Sequence, residues 1–332
     1  MKHLKNGIKY SLSLGLGVGL LWWVYHKQDL STLLVELKNA DFFWVGLCFV
    51  AALFSHISRA YRWNLLLKPL GYQPSLFRNF YAVMMGYLAN LVVTRAGEVS
   101  RCAILYKSDN VPIETAIGTV VTERIIDLLC LIVIVLITIV IEFDKLGGFI
   151  LNLFANKSTA EPNYNTLYMV GVVVLFLIVL IYLFREKIRH NAFIQNILSF
   201  RIGLMKGISS IKDVENKWSF LFHTVMIWTM YFCTVYFLFF AFKTTAHLGV
   251  NVALALFVVG SLGMVAPVPG GVGTFHFMVT QGLILYGLPE NMAASFAGLA
   301  HAIQVLQIVI IGGTAYFLGV YFLNQKSKSE SN

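Results

Sequence analysis

Charge is scarce in this chain: Asp, Glu, Lys and Arg supply 12% of its 332 residues, against 58% hydrophobic ones. Soluble domains devote roughly a quarter of their residues to charge, so this sequence cannot cover a water-facing globule, and a polytopic membrane protein is the class left. Cysteine is scarce too. Cys48, Cys102, Cys130 and Cys233 lie in apolar or helix-edge sequence without CxxC spacing, and read as small hydrophobes instead of disulfide partners or metal ligands. No Ser-His-Asp constellation, Cys nucleophile or HExxH run is found, and no GK[ST] follows Gly273; no stretch is polar and long enough for a catalytic domain. We therefore expect no catalytic residue, no metal, no cofactor and no enzyme activity. The net charge of +9 does not point to nucleic acid, because the basic residues are spread among loops beside apolar runs, as topology requires, and form no continuous face.

What is present is apolar length. Crossing a bilayer takes about 20 residues of helix, which places spans near 8–25, 42–66, 113–141, 166–184, 218–241 and 292–322. Lys2, Lys5 and Lys9 precede the first of these, which ends in Trp22, Trp23 and Tyr25 without a small-residue cleavage site; it reads as a retained span, not a signal peptide. Two further stretches, 76–107 and 250–287, are apolar but broken. Loop charge decides how they are threaded, because Lys and Arg gather on the cytoplasmic side. Residues 1–10 carry three basic and no acidic residues, and 26–41 carry two basic against three acidic. From His56 to Lys107 there are seven basic residues and one acid, so the first broken stretch starts and ends inside. The loop after Glu142 is acidic and outer; Arg185–Lys217, with seven basic and three acidic residues, is inner; Lys326 and Lys328 are inner again. The second broken stretch then starts and ends outside. The expectation is an all-α membrane protein with six full transmembrane helices and two re-entrant broken hairpins, about eight apparent spans, both termini cytoplasmic. Residues 1–326 form one membrane domain, and 327–332 a polar tail.

The halves 42–141 and 218–322 repeat. Gly86-Tyr87-Leu88 precedes Gly97 by the interval at which Gly260-Ser261-Leu262 precedes Gly271. A Pro follows each break, Pro112 and Pro289, with Ala116 and Ala293 four residues on. Continuing the register pairs Arg124 with His301 and Asp127 with Gln304. Opposite orientation of the halves makes this an inverted-topology repeat, the common plan of secondary transporters, whose substrate sites lie at such paired breaks.

Ionisable residues within spans are costly and face partners or polar cavities. Glu123, Arg124 and Asp127 stand about three turns into the third span, with i,i+4 and i,i+3 spacings that allow ion pairing. Two readings stay open: an internal pair that locks helices together, or an Arg124 that binds an anion while the carboxylates tune it. In the first break, Gly97 lets the backbone turn, Glu98 sits in the first turn of the following helix, and Arg95 and Arg101 suit bidentate phosphate contact or snorkel to headgroups. Arg59 and Arg62 read as snorkelling residues. In the second break, Pro267 and Pro269 interrupt the helix while Gly270, Gly271 and Gly273 expose backbone amides that could hold an anion. His276 and His301 fall near that break by register; two histidines are too few for a tetrahedral metal site.

The runs Arg95-Ala96-Gly97-Glu98-Val99-Ser100-Arg101, Thr122-Glu123-Arg124-Ile125-Ile126-Asp127 and Pro267-Val268-Pro269-Gly270-Gly271-Val272-Gly273-Thr274-Phe275 resemble the transmembrane-domain family of lysylphosphatidylglycerol synthase, over nearly the whole chain. The resemblance implies a flippase-like protein of the bacterial cytoplasmic membrane, without the C-terminal domain that makes the aminoacylated lipid in multidomain relatives. Its binding residues would be Arg95, Glu98, Arg101, Glu123, Arg124, Asp127, Gly270, Gly271, Gly273, His276 and His301. Thr94 stands where the family often has Pro, and His276 where it often has an acid; the second change removes a negative charge that a lysyl headgroup would want. The expected partner is an anionic or phosphate-bearing membrane lipid. The alternatives are a non-transporting membrane partner of a lipid- or glycan-modifying enzyme, and an intramembrane transferase.

Overall fold

The computed structural model describes residues 30–142, 209–266 and 268–330. The expected spans at 8–25 and 166–184, most of the loops flanking the latter, and Pro267 lie outside the described residues. Every regular element among the described residues is a helix. Four of them, Phe42–Leu70, Ile113–Ile141, Lys217–Ala241 and Glu290–Gly319, have 25 to 30 residues and are apolar enough to cross a membrane. At 1.5 Å per residue each exceeds the roughly 30 Å of a hydrocarbon core.

The elements run α1 (Leu30–Lys38), α2 (Phe42–Leu67), α3 (Leu76–Val92), α4 (Ala96–Asp109), α5 (Ile113–Ile141), α6 (Lys217–Ala241), α7 (Val250–Val265), α8 (Thr274–Leu285) and α9 (Glu290–Glu330). Local chemistry sets several boundaries. Asp41, Ser75 and Asn216 each accept a backbone N–H at the start of α2, α3 and α6, satisfying donors that a helix start leaves open. Pro112 caps α5, and its carbonyl accepts from Ala116 N–H at 2.9 Å; the Pro289 carbonyl accepts from Ala293 N–H at the same 2.9 Å. The prolines and alanines matched in the sequence thus do the same work in both halves, and the order long helix, two short helices, long helix occurs twice.

Each short pair is a helical hairpin. In the first, α3 and α4 run antiparallel, closed at the base by Arg78 and Asp109 at 2.8 Å. The turn is made by Arg95, whose φ of 62° is left-handed. Gly97 is not the turning residue, contrary to the sequence expectation. It sits in the first turn of α4, where a Cβ would stand 2.1 Å from the Gly86 carbonyl oxygen, so its missing side chain serves close approach of two backbones. In the second hairpin, Gly263 lies against Thr274 and Phe275, and Gly282 against Val259 and Leu256. Here Gly270, Gly271 and Gly273 all have positive φ, and Thr274 Oγ1 donates to the Gly263 carbonyl at 2.8 Å.

The first helices of the two halves, α2 and α6, pack antiparallel. Asp41 N–H donates to the Ala241 carbonyl at 2.9 Å, Cys48 Sγ–H to the Thr234 carbonyl at 3.3 Å, and the Tyr61 and His223 rings stack at 4.3 Å. One apolar core forms around the first hairpin from Ala60, Trp63, Leu67, Val83, Cys102 and Leu105. The other surrounds the second hairpin, with Phe239, Leu256, Leu283, Phe296 and Ala297. The halves also meet across α3 and α9, where Gly312 admits Leu88 and Gly319 admits Tyr81. Leu91, at the end of α3, reaches the second break, 3.5 Å from where a Gly270 Cβ would be. Small residues that admit a neighbour are how helices associate where no hydrophobic drive exists between them.

Candidate functional site

Four helices converge on a buried ionic cluster. From α5, Glu123 is wholly buried and Asp127 nearly so, on one face at i,i+4. From α2 come Arg59 and Arg62. Arg59 Nη1 bonds Glu123 Oε1 and also Asp127 Oδ2, the latter at 2.9 Å. Arg62 Nη2 reaches Asp127 Oδ1 at 2.7 Å and Glu123 Oε1 at 3.4 Å. From α4, Arg101 Nη2 takes the other Glu123 oxygen at 2.9 Å. Arg101 also lies over the Trp63 ring at 4.7 Å, and Trp63 Nε1–H donates to Thr119 Oγ1 at 2.9 Å. From α6, Thr224 and Tyr231 accept from Arg62 and Arg59.

Arg59 and Arg62 are therefore not snorkelling. They are 3% and 0% exposed, and they supply most of the counter-charge to the two carboxylates. A signal existed in the sequence: Ser55, Arg59 and Arg62 recur at helical spacing along one face of the span, and all three are buried. A second signal was the demand of two carboxylates for more cation than Arg124 could give.

Arg124 takes a different place. It is 46% exposed, 3.4 Å from Glu98 of α4 and 3.9 Å from Asp127, so it joins the first hairpin to the cluster from its outer edge. Its neighbours Ile125, Leu128 and Leu129 are exposed apolar residues. The cluster as a whole sets four guanidiniums, Arg59, Arg62, Arg101 and Arg124, against three carboxylates, Glu98, Glu123 and Asp127, one positive charge in excess. Arg95, at the hairpin tip, is exposed and has no ion pair among the described residues.

The second break holds the remaining candidates. His276 Nδ1 accepts from the Gly273 N–H at 3.2 Å. The amides of Gly271 and Val272 donate to the Val268 and Pro269 carbonyls. The expected open amides at Gly271 and Gly273 are thus occupied by the chain itself, because three residues of left-handed glycine fold the break back on itself. His301 Nε2–H donates to the Gly270 carbonyl at 2.8 Å, and the two imidazoles lie 4.5 Å apart. The register of the repeat placed both histidines here, as found. Pro269 opens a single short turn, Pro269–Gly271. The two candidate regions are neighbours through α3: Tyr87 bonds Tyr231 of the cluster, and Leu91, one turn on, abuts Gly270.

Comparison with known proteins follows the same extent of chain. The profile of the lysylphosphatidylglycerol synthase TM region matches residues 10–312. UPF0104 membrane protein MJ1595 of Methanocaldococcus jannaschii is 22% identical over 305 residues, 87% of this chain and 88% of its own. UPF0104 membrane protein MJ1078 of the same organism is 24% identical over 251 residues, 74% of this chain and 99% of its own. No solved structure matches.

Proposed function

The chain belongs to the lysylphosphatidylglycerol synthase TM-region family, and from that premise we propose that it is a flippase-like transporter that moves an anionic, phosphate-bearing lipid between leaflets. The observation that carries the proposal is the excess of guanidinium in the cluster, with Arg124 half-exposed on the apolar outer face of α5. An uncompensated cation at bilayer depth costs several kcal/mol. A phosphate oxygen presented from the lipid side would neutralise it, and guanidinium geometry suits that contact. Arg95 supplies a second exposed cation at the hairpin tip.

The threading that goes with this function has six full spans and two re-entrant hairpins in a bacterial cytoplasmic membrane, with both termini cytoplasmic. Hairpin arms of 17 and 14 residues, and of 16 and 12, are about 18 to 26 Å long, short of a full crossing. The antiparallel packing of α2 on α6 supports opposite orientation of the halves, and the contact of Leu91 with Gly270 supports breaks that meet where a substrate would cross.

A second reading has its own support. Glu123 and Asp127 are taken up by Arg59, Arg62 and Arg101, which is what a static lock between helices requires, and a non-transporting partner of a lipid- or glycan-modifying enzyme needs nothing more. Purified protein in liposomes separates the two. We expect redistribution of a headgroup-labelled anionic lipid from a panel of phospholipids and polyprenyl phosphates, with the lipid chemically unchanged. No movement across the panel together with a stoichiometric protein partner would favour the lock, and a covalently altered lipid would indicate a transferase.

A further inference from the structure

Tyr231 of α6 and Tyr87 of α3 lie outside the three sequence runs that carry the family resemblance, yet they form a directed hydrogen-bond relay out of the cluster. Arg59 Nε and Nη2 both donate to Tyr231 Oη, at 3.3 and 3.2 Å. A guanidinium has no acceptor, and a phenol oxygen has two acceptor positions and one proton. With both positions filled by Arg59, Tyr231 can only donate. The oxygen 3.1 Å away is Tyr87 Oη, so the Tyr231 proton goes to it. This fixes the sense of the bond: the Tyr87 proton must point away from Tyr231. The His56 and Tyr87 rings lie 4.7 Å apart, tilted by 53°, and the buried His56 Nδ1 has no hydrogen-bond partner, so that nitrogen does not take the proton.

The Tyr87 hydroxyl is therefore a donor polarised through two bonds by the Arg59 cation, as chains of hydrogen bonds reinforce one another in a medium of low dielectric. It sits on α3 one turn before Leu91, at the seam with the second break, and Arg124 belongs to the same network through Asp127, which Arg59 also binds. We infer that the Tyr87 hydroxyl, aimed by Tyr231 and Arg59, is a direct contact for a phosphate oxygen of the lipid headgroup, with Arg124 as the charged half of the same seat. Tyr231 is the positioning residue. The inference deepens the transport reading and selects for a phosphate-bearing headgroup over a neutral one.

Calorimetric binding to the full-length protein in detergent tests it with three probes: dioctanoylphosphatidylglycerol as a phosphodiester, farnesyl phosphate as a phosphomonoester, and dioctanoylglycerol without phosphate. Wild type should prefer one or both phosphate probes to dioctanoylglycerol. Tyr87→Phe should lower that affinity by about ten-fold or more, as for one hydrogen bond to a charged group, and leave dioctanoylglycerol binding unchanged. Tyr87→3-fluorotyrosine, similar in shape and a stronger donor, should raise it, which a merely structural hydroxyl would not do. Preference for the phosphodiester or the monoester tells a phospholipid from a polyprenyl phosphate. Absence of phosphate preference in wild type, or equal affinity of wild type and Tyr87→Phe, would overturn the inference. Redistribution in liposomes with unaltered Tyr87→Phe affinity would leave transport standing without this contact; Tyr87-dependent binding without redistribution would do the reverse.

Discussion

At the scale of residues, the economy of the cluster rests on Glu123, which is wholly buried and shared by three guanidiniums. Removing one partner of a buried pair strands the others, so Glu123→Gln should destabilise the protein by about 3 kcal/mol or more. Denaturant titration in mixed micelles would check it, and wild-type stability would show that the cluster matters little. Arg95 offers the opposite test. A left-handed arginine carries about 1 kcal/mol of backbone cost that glycine does not. Arg95→Gly should therefore raise the melting temperature while slowing lipid movement, because the tip cation is lost; a fall in stability would mean that the guanidinium has a structural partner. The sequence displayed Glu123, Arg124 and Asp127 plainly, since three charges in an apolar run are conspicuous. The partnership with Arg59 and Arg62 was signalled only by their helical spacing with Ser55, and they come from a helix about 60 residues away and stand near a span end, where snorkelling is the common fate of such side chains. The hydrogen bonds of Tyr87 and Tyr231 carried no signal, because a phenol in an apolar span is ordinary until its neighbours are known.

At the scale of elements, both hairpins were legible from their Gly and Pro breaks, and their bounds agree closely with the helices found. What periodicity could not give was the use made of each glycine. Gly97 and Gly271 occupy equal intervals in the repeat, but Gly97 lies within a helix against Gly86, whereas Gly271 lies in the break itself with φ at 70°. A Cβ at position 97 would meet backbone, which cannot swing aside, so Gly97→Ala should destabilise by about 1–3 kcal/mol. Gly313 has nothing within 4 Å of its would-be Cβ and lies within α9, so Gly313→Ala should be neutral or stabilising by up to about 1 kcal/mol. Melting curves of the two variants side by side would check the contrast; the same response in both would remove the close-approach argument.

At the scale of the whole molecule, the repeated element order and the antiparallel α2 and α6 fit the proposal of two halves of opposite orientation. Cysteines introduced by Gly71→Cys and Asn110→Cys should label from the cytoplasmic side, and Ala246→Cys and Pro289→Cys from the outside; all four positions are exposed. Opposite-side labelling within either pair would refute the threading. The most direct measurement of function is the rate at which a headgroup-labelled anionic lipid becomes accessible in proteoliposomes bearing wild type, Arg124→Gln or Lys68→Gln. Lys68 belongs to an exposed pair with Glu215, a kind of pair worth little. The proposed mechanism predicts movement by wild type, undiminished movement by Lys68→Gln and at least a several-fold loss in Arg124→Gln, whereas equal rates in all three, or none in wild type across the lipid panel, would contradict it.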